Sequence, residues 1–88
     1  MALTRPQALA RITTPSVVAL ASDTLAIVDG DLRLAREAAQ TFAGMAVHRS
    51  EYDAAEEWQA VGMLLRSTHP KAAALRQHMT RQPGKPSR

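Results

Sequence analysis

The sequence predicts an all-α fold, a small antiparallel helical bundle or hairpin array of three to four helices. Three observations carry that expectation. Ala and Leu, both strong helix formers, supply 17 and 9 of the 88 residues,. The aromatic residues that favour strands are reduced to Phe42, Tyr52 and Trp58,. Apolar residues recur at helical spacing from Val17 to Met79, in segments separated by helix-stopping and helix-starting residues,. Eighty-eight residues make one domain, at the small end of what folds alone,. Much of the apolar content is Ala, which buries little surface, so added burial against a partner or a second copy is expected.

Residues 1–13 read as a short N-terminal lead. Pro6 suits the start of one helical turn, Gln7 to Ile12, that points Leu9 and Ile12 at the body,. The helical domain spans 14–82. Thr14 is a good N-cap and Pro15 fits the first helical position. Val17, Leu20, Ala21, Leu25 and Val28 then repeat on one face, and Asp29-Gly30 ends the segment, with Gly30 fit for a left-handed cap,. Asp31 caps the next helix. Its apolar set is Leu34, Ala35, Ala38, Ala39, Phe42, Met45 and Ala46, against a wet side of Arg33, Arg36, Glu37 and Gln40.

Ser50 with Asp53 three residues on resembles a capping box, and opens a helix from about Glu51 to Arg66,. Ala54, Trp58, Val61 and Leu65 form one row of it, with Tyr52, Ala55 and Gly62 beside them. Ala55 and Gly62 are expected at a tight helix–helix contact. Glu51, Asp53, Glu56 and Glu57 load its start and Arg66 its end, the polarity that the helix dipole favours. Pro70 starts a last helix running to about Gln82 through Ala72, Ala73, Leu75, Arg76 and Met79. Residues 83–88, with two prolines and a glycine, read as a disordered basic tail,.

Charge is unevenly spread. The chain carries +3 overall, yet residues 14–65 hold all eight acids against Arg33, Arg36 and Arg49, a net of −5. Residues 66–88 hold six basic residues and no acid. A basic end of this kind binds phosphates or an acidic surface. Lys71, Arg76, Arg81, Lys85 and Arg88 are the candidates for that contact.

Several chemistries are excluded or disfavoured. Without Cys there is no disulfide scaffold and no thiolate metal site,. His48, His69 and His78 do not pair on one helix. Asp29-Gly30-Asp31 opens like a calcium loop, but Leu32 and Leu34 stand where oxygen ligands are needed. The four glycines stand singly, so no Gly-rich phosphate loop exists,. Glu56 and Glu57 are adjacent and point about 100° apart on a helix, so they do not form an acid/base pair. A helix-turn-helix over Arg36 to Asp53 fails because the helix after the turn opens on four acids. No catalytic residue, metal, cofactor or small-molecule substrate is implied. Val17 to Val28 is 12 residues long with Ser22, Asp23 and Thr24 inside, too short and polar for a membrane span,. The chain is expected to be cytoplasmic.

Residues 39–62 resemble a single tetratricopeptide hairpin. Ala39, Phe42, Ala43 and Ala46 match its first-helix packing set. Ser50-Glu51-Tyr52-Asp53-Ala54-Ala55 is similar to the family's turn and second-helix opening, and Gly62 falls at its small position seven after Ala55,. Ser50 stands where the family has Gly, Gln59 where it has an aromatic, and Pro70 comes three residues late. The resemblance implies a binding module with a groove for a peptide or partner helix, of the kind found in bacterial chaperones of secretion subunits. The expected function is non-enzymatic binding of another protein as adaptor, chaperone or inhibitor, or self-association as a homo-oligomer. Tyr52, Trp58, Met63 and Leu64 are the candidate partner-binding residues, because that helix carries more large apolar positions than one face can bury. The alternative is nucleic-acid association through residues 66–88.

Overall fold

The computed structural model describes residues 5–81, with side chains from 7 to 80. Among them the regular structure is all helical: α1 (Arg5–Ile12), α2 (Pro15–Ile27), α3 (Leu32–His48), α4 (Tyr52–Arg66) and α5 (Pro70–Arg81). The count exceeds three to four because the N-terminal lead is not a single turn. It is an eight-residue helix whose Ile12 is buried in the core, with Leu9 packed against it. The expected tail, 83–88, lies outside the described residues.

The helix ends follow local chemistry, with two departures from the sequence reading. Pro15 opens α2 and Asp31 caps α3, its carboxylate accepting from the Leu34 N–H at 3.1 Å. At the end of α2, however, the left-handed cap position belongs to Asp29 (φ 55°), and Gly30 (φ 79°) follows it. The Gly30 N–H donates to Leu25 O at 2.7 Å and that of Asp29 to Ala26 O, the paired bonds of a Schellman cap,. The end of α3 repeats the device. Glu51 N–H donates to Ala46 O, Ser50 N–H to Val47 O, and Ser50 takes φ 60°. Ser50 therefore terminates α3 instead of capping α4, whose N-cap is Glu51 and makes no side-chain bond. The capping box with Asp53 is not formed, because a residue in the left-handed region cannot also hold the extended N-cap backbone.

Helix α4 is the centre of the fold and touches each of the other four helices, α3 most extensively. The α3–α4 hairpin is antiparallel, and its seam is built from small residues. Ala35, Ala39, Ala43 and Ala46 form one buried stripe on α3. A Cβ built on Gly62 would sit 3.9 Å from the Ala39 Cβ, so those two positions face each other. The same register sets Ala46 beside Ala55, both buried. Ala55 thus lies at a close contact, as expected. Gly62 is also buried, but a methyl group there would meet the flexible Arg66 side chain at 3.4 Å and Ala39 at 3.9 Å, so the seam would accept it.

The alanine seam brings the backbones together and leaves bulkier neighbours at its rim. Leu34, Phe42 and Met45, expected in the core, are 41–43% exposed. The core proper lies on the other side of α4, where Val61, Leu64 and Leu65 meet Ile12, Val17, Ala21, Leu25, Ala72 and Met79. Leu64 is fully buried, so it is a core residue and not part of a binding surface. Thr24, the one buried polar side chain among the described residues, returns its hydroxyl to Leu20 O at 2.8 Å.

Candidate functional site

Two sets of polar side chains near the end of α4 have different fates. The last carbonyls of α4 lack intrahelical partners, as at every helix C-terminus. Arg36 from α3 donates Nε to Leu65 O at 2.9 Å. Arg76 from α5 donates Nη1 to Leu64 O at 2.8 Å and to Ser67 O. Two guanidinium groups thus close the end of α4, where positive charge is also favoured by the helix dipole. Arg76 is half-buried and committed to this cap, so it is not a free phosphate contact. Lys71 is exposed in the first turn of α5. Arg81 is the last residue of α5, and Lys85 and Arg88 lie outside the described residues. The expected basic cluster of 66–88 is therefore not assembled as one surface among the described residues.

Arg66 behaves differently. It is exposed, and its side chain makes no hydrogen bond or ion pair among the described residues. Its guanidinium folds back over Gly62, where a Cβ would stand 3.4 Å from Nη1. It ends a row along α4 that reads Tyr52, Glu56, Gln59, Met63 and Arg66. Successive spacings of four and three residues hold these side chains within roughly 80° of one another. All five are exposed, Tyr52 at 62% and Met63 at 42%.

Met63 and Arg66 stand between two grooves of about 530 Å³ each. One lies against α1 and the link to α5, with Leu9, Ile12 and His69 in its wall. The other lies against α3, with Ala43, Gly44, Val47 and Trp58 in its wall and floor. Small residues give this second groove its depth. Trp58 is half-buried, and its ring stands 4.8 Å from that of Phe42, tilted by 36°. Val47 is 46% exposed at the groove edge. Arg66 is the one cation common to both walls, and neither wall contains a carboxylate.

Of the four partner-binding residues expected from sequence, Met63 is thus central to an open face, Trp58 walls it, Tyr52 extends it, and Leu64 is absent from it. Phe42, Val47 and Gly44 belong to the surroundings of this face and escape the periodic pattern. Phe42 repeats like a core residue, and Gly44 reads as a weak point in the last turns of α3. Arg11 of α1 and Glu56 form an ion pair at 2.7 Å on the α1 side, using Glu56 Oε1.

The arrangement is suited to apolar contact with one charge-assisted anchor. Among the described residues no group of three or more His, Cys, Asp or Glu could hold a metal ion. Among the same residues, no helix is long and apolar enough to cross a membrane. No protein-family model matches the chain, and neither a curated protein nor a solved structure matches it.

Proposed function

We propose that this chain is a non-enzymatic helical protein that acts by binding another protein, as an adaptor, chaperone or inhibitor, through the open face of α4 and the grooves on either side. The observation that supports this most is Met63. It is a flexible, polarizable side chain, half in solvent, set between two apolar grooves on a protein this small. Exposed apolar surface rimmed by polar side chains is characteristic of protein-binding sites. Phe42, Val47, Trp58 and Tyr52 add aromatic and aliphatic surface nearby. The likeness of residues 39–62 to a tetratricopeptide hairpin points the same way. Ser50, at that family's glycine position, takes the positive φ a glycine would favour there,.

Nucleic-acid association through 66–88 has less support. Arg76 is engaged in the cap of α4, and the acids of α4 would repel phosphate.

The test is affinity capture from the source cells with the tagged chain, with and without nuclease, beside Met63→Glu. The expected catch is a protein that survives nuclease and is lost with the variant. A catch that disappears on nuclease treatment and is indifferent to Met63 would overturn the reading in favour of nucleic acid.

A further inference from the structure

On the reading that this face binds protein, we infer that its occupant is a second copy of the chain, docked α4 against α4 in antiparallel sense about a two-fold axis at the level of Val61. Charge layout carries the inference. The exposed row on α4 has a carboxylate near its start, Glu56, and an unpaired guanidinium at its end, Arg66. A two-fold axis at Val61 places Glu56 of each copy opposite Arg66 of the other, and Gln59 opposite Met63. Both charges of the row then find opposite partners at once, as an isologous contact requires.

Parallel docking would instead set Glu56 against Glu56 and Arg66 against Arg66, like charges facing each other at both ends of the row. The alternating spacing of the row is that of a helix–helix seam. Each Met63, standing proud between two grooves, meets an equivalent groove-flanked helix. Glu56 is available for the contact although Arg11 binds it, because that ion pair uses Oε1 and leaves Oε2 open. Arg66 is available because no carboxylate lines either groove of its own chain.

Sedimentation equilibrium over a wide concentration range is the test, with circular dichroism confirming that each variant is folded. The wild-type chain should reach dimer mass. Met63→Glu should be monomeric throughout. Glu56→Arg and Arg66→Glu, each of which places like charges face to face twice per dimer, should weaken association about tenfold or more. The double variant, Glu56→Arg with Arg66→Glu, should restore it.

A wild type that stays monomeric at every concentration overturns the inference. So do single charge variants that dimerise normally, or a double variant that stays as weak as either single one. A monomer that still captures a nuclease-resistant protein through Met63 would remove the second copy while leaving the protein-binding function standing.

Discussion

The two sides of α4 are built from neighbouring residues yet do opposite work. Leu64 and Leu65 point into the core and are fully buried, whereas Met63, one residue earlier, stands 42% exposed between two grooves. The inner side is filled by Ile12 of α1, Val17, Ala21 and Leu25 of α2, Val61, Leu64 and Leu65 of α4, and Ala72 and Met79 of α5. The outer side is apolar but open, and it carries an unpaired guanidinium. Stability and recognition are therefore separated by about one third of a helical turn, since successive residues lie about 100° apart. Substitutions on the two sides should separate in the same way.

The largest effect is expected on the inner side. Leu64→Ala leaves a cavity among fully packed neighbours and should cost about 2–5 kcal/mol in denaturant unfolding. An unchanged unfolding midpoint would mean that α4 does not pack as described. Arg76→Met should cost about 1.5–3 kcal/mol, because Leu64 O and Ser67 O lose a charged donor,. The comparison with Arg66→Met sharpens this point, since that arginine has no such bonds within the chain and its loss should leave unfolding of the monomer nearly unchanged.

At the seam, Ala55→Leu forces bulk between α3 and α4 beside Ala46 and should lower stability by about 1–3 kcal/mol. A variant that melts with the wild type would show that the two helices stand further apart than the alanine stripe implies. A gain is expected at the hairpin turn. Ser50→Gly relieves a side chain held at φ 60° and should raise stability by about 0.5–1 kcal/mol in the same denaturation experiment,.

The smallest effect on stability belongs to the outer side. Met63→Glu should shift unfolding by no more than about 0.5 kcal/mol, as surface substitutions do, when both chains are compared at concentrations where the wild type is monomeric. Partner capture should be lost all the same. A large destabilisation of the monomer would instead mark Met63 as a packing residue.

How far these features could be read in advance depends on what each one requires. The helices from Pro15 to Arg81 were legible because periodicity, Asp31 and the two prolines at helix starts are local signals. The N-terminal helix was less so. Eight residues with Leu9 and Ile12 give too short a pattern to separate one turn from two.

The left-handed positions at Ser50 and Asp29 carry no clear sequence signal, because the Schellman cap usually marks itself with glycine and here two non-glycine residues take that conformation, with Gly30 following Asp29 in it,. The assignment of faces failed for a different reason. A single apolar stripe identifies the buried side of a helix that packs on one neighbour. Helix α4 packs on four others, so its buried residues spread around most of its circumference, and the exposed sector is defined by where α1 and α3 end. Leu64 and Met63 look alike in the sequence; only the placement of neighbouring helices distinguishes them. The role of Arg76 was hidden similarly, since a carbonyl cap from another helix has no sequence signature.

Site-specific photocrosslinking in the source cells tests the central claim most directly. A photoreactive side chain would replace Met63 in one variant and exposed Arg33, on α3, in another. Position 63 should give a discrete protein adduct, either to a second copy or to another chain, that is unaffected by nuclease and absent from position 33. Equal labelling from both positions, or adducts that vanish with nuclease, would contradict the assignment of this face to protein binding.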